Sequence, residues 1–228
     1  LFYGALFLPS PALFTEASCG PTYYWWPIML GLITTVLGQA VRGATIGLAY
    51  IVRGGKEGKP YADGLVTEGI FRHCRNPLYV GNILMLLGVG ILANSLFYVA
   101  VMVPVFLFIY QAIVLAEENF LRGKFGAGFD AYCADVNRWW PRLQGLGATL
   151  SSMEFNWKRW ILKEHTTQYI WLAGIFLLLF APIPVWRYPA LACNDELWRD
   201  QLLAICLTSV TGVYILIRIL KKSGRFTE

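Results

Sequence analysis

The chain has 228 residues, 57% of them hydrophobic and 15% aromatic, with 14% charged and a mean hydropathy of +0.51. That apolar content exceeds what a soluble domain of this size carries, so the composition excludes an ordinary water-soluble fold and predicts an integral membrane protein. The formal charge of +5 reads mainly as a topology signal with anionic lipid head groups as partners, and nothing calls for nucleic acid.

Apolar runs occur near residues 1–14, 25–50, 78–93, 96–116, 168–186 and 201–220. Most approach the roughly 20 residues needed to cross a bilayer. The expected architecture is an all-α, polytopic transmembrane bundle of about six spans, the first truncated, with a cytoplasmic amphipathic helix. No initiator Met or basic segment precedes Leu1, so no signal peptide is expected and the natural start is expected upstream. Lys and Arg concentrate in Arg53–Arg75, Arg122–Lys163 and Arg218–Arg225, whereas residues 15–26 and the Asn94-Ser95 turn have none. This alternation predicts both termini and both large polar segments on the cytoplasmic side.

Arg42 lies inside the second run, eight residues before Tyr50, too deep for easy snorkelling. Pairing inside the bundle is expected, as a structural ion pair or a site wall shared with Gln39. In "FRHCRNPLYVGN", Pro77 suits the first turn of a helix and Asn76 its N-cap. Tyr79 adds a phenol, and Gly81 a surface open to a ligand or a neighbouring helix. The turn "ANS" at 93–95 predicts a tight hairpin that returns the chain to the same membrane face at "AEEN". Pro104 predicts a kink in the returning helix.

Glu117 and Glu118 are adjacent carboxylates near hydrocarbon, and if the helix ends there they favour a cationic ligand. Downstream, Phe120, Leu121, Phe125, Phe129, Tyr132 and Val136 recur at spacings of three and four, an interfacial amphipathic helix broken at Gly126-Ala127-Gly128. Trp157 and Trp160, among Lys158, Arg159 and Lys163, read as interface anchors ahead of the fifth span. Five cysteines show no metal-ligand spacing, and with only His73 and His165 in the chain no metal site is expected. Cys19 and Cys193 both fall on the predicted outer side and could pair.

"DGLVTEGIFRHCRNPLYVGN" resembles the LVxxGxYxxxRHPxYxG block of the isoprenylcysteine carboxyl methyltransferase and phospholipid methyltransferase superfamily. "EENFLRGKFGAGFDAYCADVNRWWP" is similar to its EExxLxxxFGxxYxxYxxxVPRxxP block. The resemblance covers residues 63–141 in matching order and spacing. It implies a helical membrane enzyme using S-adenosylmethionine, the cofactor held at the cytoplasmic face by Leu65, Val66, Phe71, Asn76, Pro77, Leu78, Tyr79, Glu117 and Glu118. Glu118, as a base, and Arg42 are the catalytic candidates.

The chain departs from the pattern where Asn76 replaces His, Phe71 and Phe129 replace Tyr, and Asn137 replaces Pro. Ile113 stands where the prenylcysteine branch has Arg. These departures leave open a lipid-like or small hydrophobic methyl acceptor, with phospholipid amine N-methylation as an alternative. From other classes stand a sterol-reductase-like enzyme using NADPH and a noncatalytic scaffold. A single membrane domain is expected over 1–228, with N-terminal spans at 1–62, the cofactor core at 63–141, and an interfacial segment with two spans at 142–228. Those last two spans could wall a lipid entrance, complete the bundle or mediate a homodimer.

Overall fold

The computed structural model describes residues 2–6, 8–48, 64–181 and 196–225. Cys193, and with it the expected Cys19–Cys193 pairing, lies outside the described residues, as do Tyr50, Arg53 and Arg187. The described residues are helical and contain no strand. In chain order the α-helices are α1 (Phe2–Leu6), α2 (Glu16–Cys19), α3 (Trp25–Leu48), α4 (Pro77–Leu92), α5 (Val103–Phe125), α6 (Ala127–Asp135), α7 (Leu146–Ser151), α8 (Trp157–Phe180) and α9 (Glu196–Lys222). A 3-10 turn spans Gly69–Arg72, and a π-helical stretch, Tyr98–Met102, leads into α5.

Among the described residues, three segments are long and apolar enough to cross a membrane: Trp25–Leu48, Tyr98–Phe125 and Leu197–Lys222. Pro77–Leu92 is a shorter apolar helix. Their outward faces carry large apolar side chains, among them Ile33, Phe108, Ile205 and Ile219, with Phe108 75% exposed. Such surfaces are costly in water and suit lipid.

Several expectations meet a different outcome. The apolar run at 1–14 is not one helix. Residues 8–15 are non-helical, as Pro9 and Pro11 require, since each lacks the N–H that a helix interior needs. Trp157–Lys163, expected as interface anchors, form the first turns of α8, which runs unbroken to Phe180. The irregularity expected at Pro104 is the π-helical stretch just before it, where the Val103 N–H reaches the Tyr98 carbonyl. The expected break after α5 does occur, with Gly126 at φ 52° between α5 and α6.

The chain divides into two compact units. The first takes Leu1–Val36, Met85–Pro104 and Lys158–Glu228. Its core comprises Leu6, Leu92, Tyr98, Val103, Ile175 and Leu178, with Trp171 packed against it. The Trp171 Nε1–H donates to Thr35 Oγ1 at 2.7 Å. The "ANS" turn forms the expected tight hairpin: Asn94 takes φ 49°, and its side chain bonds both the N–H and the carbonyl of Phe14 at 2.9 and 3.0 Å.

The second unit takes Leu37–Leu84 and Val105–Trp157. Its buried apolar side chains include Ile46, Ile70, Val114, Phe129 and Val136. The apolar face expected to lie on the membrane surface is therefore turned inward at Phe129 and Val136, which are 2% and 5% exposed. Here α4 crosses α3 closely at Gly81. A Cβ there would stand 2.7 Å from the Arg42 side chain and 2.8 Å from the Gly38 carbonyl, so the missing side chain serves a helix contact.

Candidate active site

All the candidate residues lie in the second unit. Leu65 and Val66 sit on a non-helical segment that leads to the 3-10 turn, Leu65 half-buried and Val66 exposed. Phe71 is in that turn, and Pro77 and Leu78 open α4. The stretch between is fastened by residues 132–149. Tyr132 Oη–H donates to the Phe71 carbonyl at 2.7 Å, the Arg75 N–H to the Asn137 carbonyl at 3.0 Å, and the Arg142 N–H to the His73 carbonyl at 2.9 Å. His73, buried, bonds the Arg142 carbonyl through Nδ1 at 2.7 Å and Thr149 Oγ1 through Nε2 at 2.8 Å.

Asn76 does not cap α4 with its side chain as expected; its amide donates to the Arg138 carbonyl at 3.2 Å. The amide offers N–H donors as well as an oxygen, and the carbonyl presented by residue 138 takes one of them. Burial pushes the Cys74 thiol above its ordinary value of 9.0 and the Tyr132 phenol above 10.0. Both groups are therefore neutral donors at pH 7.

Glu117 and Glu118 are not at a helix end, because α5 continues to Phe125. The argument from the helix dipole therefore falls away. Successive residues on an α-helix point roughly 100° apart, and the two carboxylates have different surroundings. Glu118, 5% exposed, is gripped by Arg138: Nε stands 3.0 Å from Oε1, and Nη2 2.7 Å from Oε2. Arg75 Nε adds an ion pair at 3.5 Å. The hydrogen bond to Glu118 holds the Arg138 guanidinium above its ordinary value. Two helical turns earlier, on the same face, Gln111 accepts from Trp139 Nε1 at 2.9 Å.

Glu117 faces α4 instead. Tyr79 Oη–H donates to its Oε1 at 2.8 Å, and the Tyr79 ring packs on Tyr110 with centroids 5.3 Å apart. Glu117 is only half-buried, and no cation pairs with it among the described residues. Arg42, 4% exposed, donates from Nη1 to Asn82 Oδ1, and Asn82 neighbours Tyr110. Arg42, Asn82, Tyr110, Tyr79 and Glu117 thus form a polar seam where α3, α4 and α5 meet.

The structure brings Tyr79 to Glu117 and Asn76 to the arginine that holds Glu118; it gives no direct bond joining Leu65, Val66, Pro77 or Leu78 to either carboxylate. The sequence reading missed Arg138, Trp139, Tyr132 and Asn82. Arg138 passed for one more positive-inside charge. No group of three His, Cys, Asp or Glu among the described residues could hold a metal ion.

Long apolar helices, with a polar seam inside the second unit, define a helical membrane protein. Residues 26–128 match the phospholipid methyltransferase family. Among curated proteins the chain is similar to the cobalt-zinc-cadmium resistance protein CzcN of Cupriavidus metallidurans, 31% identical over 50% of this chain and 51% of that one. It is also similar to the nickel-cobalt-cadmium resistance protein NccN of Alcaligenes xylosoxydans xylosoxydans, 34% identical over 35% of this chain and 37% of that one. A third relative is protein-S-isoprenylcysteine O-methyltransferase A of Arabidopsis thaliana, 32% identical over 51% of this chain and 60% of that one. These similarities support a place in the isoprenylcysteine carboxyl methyltransferase and phospholipid methyltransferase superfamily. The matches span between about a third and three fifths of these relatives' own lengths. No solved structure matches the chain.

Proposed function

We propose that the protein is an S-adenosylmethionine-dependent membrane methyltransferase acting on a lipid-like or small hydrophobic acceptor, with its cofactor site on the cytoplasmic side. The observation that carries this reading is Glu117, a half-buried carboxylate with a phenol donor and no cationic partner among the described residues. A carboxylate so placed favours a cationic ligand.

The donor set fits S-adenosylmethionine. Glu117 would hold its ammonium, Tyr79 would keep that carboxylate oriented, and Leu65, Val66, Phe71 and Leu78 would supply apolar surface for the adenosine. When bound, the cofactor supplies a methyl group from a sulfonium. The protein's part is then to align the acceptor and exclude water, for which no strong side-chain base is required. Glu118 is a poor base, since two guanidiniums occupy its oxygens. We assign it to the architecture of the site, and Arg42, bonded to Asn82, to the wall. A phosphate-rich dinucleotide would be repelled by Glu117, which disfavours the NADPH reading.

Titration calorimetry of the detergent-purified chain with S-adenosylhomocysteine, against NADPH as control, tests the reading. Binding of S-adenosylhomocysteine, weakened about 10- to 100-fold in Glu117→Ala, is expected. Binding of NADPH alone would overturn the proposal, binding of neither would favour a noncatalytic scaffold, and equal binding by the variant would remove Glu117 from the site.

A further inference from the structure

We propose that Glu118, Arg138 and Arg75 form a positioning clamp that fixes the rotation of α5, so that the neighbouring Glu117 carboxylate is delivered to Tyr79 and to the ligand's cationic group. This inference rests on the reading of Glu117 given above. Two adjacent carboxylates near hydrocarbon repel each other, and either could in principle turn toward α4. Glu118 is held by two guanidiniums, with three bonds to Arg138 of 3.0, 3.2 and 2.7 Å and an ion pair to Arg75 of 3.5 Å. A bidentate Arg–carboxylate pair is directional as well as strong, so it fixes an orientation that a single point charge would leave free.

Both arginines are themselves anchored through their backbones. The Arg75 N–H bonds the Asn137 carbonyl at 3.0 Å, and the Arg138 carbonyl accepts from Asn76 at 3.2 Å. The same face of α5 is tied two turns earlier by Gln111 and Trp139 at 2.9 Å. With that face fixed, the roughly 100° step between successive residues leaves Glu117 directed at α4. There it meets Tyr79 at 2.8 Å. The clamp also offsets the second carboxylate's charge, so the negative charge offered to a ligand is that of Glu117.

Two ligands separate this role from the alternatives. S-adenosylhomocysteine carries the ammonium and carboxylate of an amino acid; 5′-methylthioadenosine shares the adenosine but lacks both. Calorimetry on the full chain in detergent would compare wild type with Glu118→Gln, Arg138→Gln, Arg138→Lys, Glu117→Gln and the double variant Glu117→Gln/Arg138→Gln. The clamp predicts that Glu118→Gln and Arg138→Gln each weaken S-adenosylhomocysteine about tenfold or more while leaving 5′-methylthioadenosine within about twofold. It predicts partial rescue in Arg138→Lys, and a double variant no weaker than Glu117→Gln.

If Arg138 instead bound the ligand's carboxylate directly, Glu118→Gln would leave affinity unchanged or raise it, and the losses at 117 and 138 would add. Either result overturns the clamp. Equal loss of both ligands in Glu118→Gln and Arg138→Lys would reduce the cluster to general fold support and overturn it too. Failure of wild type to bind either ligand would sink the underlying reading of Glu117, a result distinguishable from all of these.

Discussion

The two units of this chain are held in different ways. The first is organised around an apolar cluster of Leu6, Leu92, Tyr98, Val103, Ile175 and Leu178, with polar bonds confined to a few points such as Trp171–Thr35 and Asn94–Phe14. Its two C-terminal helices add stacked rings, Tyr169 on Tyr214 at 4.5 Å. The second unit has apolar side chains as well, but its chemistry-bearing stretch is held by backbone and charged groups: His73, Asn76, Arg75, Arg138 and Tyr132. Apolar burial is tolerant of small shifts, whereas bidentate and backbone hydrogen bonds specify direction. A scaffold can use the first kind of cohesion, and a site that must aim one carboxylate needs the second.

The largest effect expected on this contrast comes from Phe129→Ala. It removes a side chain 2% exposed in the second unit and should cost about 3–5 kcal/mol in thermal or denaturant unfolding in detergent. If it cost as little as a surface change, the second unit would have no apolar support of its own. Next comes His73→Ala, which strips partners from the Arg142 carbonyl and the Thr149 hydroxyl. About 1–3 kcal/mol is expected, with faster hydrogen exchange at 71–76 and 137–142. In the first unit, Thr35→Val leaves the Trp171 N–H without its acceptor. A loss of about 1–2 kcal/mol is expected, relieved when Trp171→Phe is added.

Alkaline pH gives a graded test. Cys74 and Tyr132 have folded values raised by burial, so the fold keeps them protonated while the unfolded chain would release those protons. Their contribution is fully present below the unfolded values of 9.0 and 10.0 and is lost as pH rises past them. A melting series from pH 7 to about 11 should show that decline, and Cys74→Ser with Tyr132→Phe should flatten it. The smallest change is expected at Trp140, 81% exposed, where alanine should alter stability by no more than about 0.5 kcal/mol.

Much of the fold was legible because membrane helices announce themselves through continuous apolar runs, and Gly126 and the "ANS" turn carry their own conformational signatures. The run at 1–14 misled because hydropathy alone ignores what Pro9 and Pro11 do to backbone hydrogen bonding. At the site, the pairing of "NPLY" with "AEEN" followed from the hairpin, and Tyr79 does meet Glu117. The division of labour between Glu117 and Glu118 was hidden, because it depends on where α5 ends and which way it is turned. Arg138 was hidden for another reason: in a membrane protein an arginine between apolar runs has a ready explanation as a topology signal, and nothing local distinguishes one that reaches back 20 residues to a buried carboxylate.

The fastening of residues 71–76 also bears on how the chain matures. Its side-chain partners lie 61 to 76 residues downstream, at Tyr132, Arg138, Arg142 and Thr149. Contacts so distant in sequence form late, after the intervening helices are in place. During synthesis the α4–α5 hairpin would therefore be complete while Asn76 and His73 still faced water or lipid head groups. The fastening is complete only when the chain has been made past Thr149, so a nascent chain halted before that point would hold α3, α4 and α5 without the bonds that fix residues 71–76.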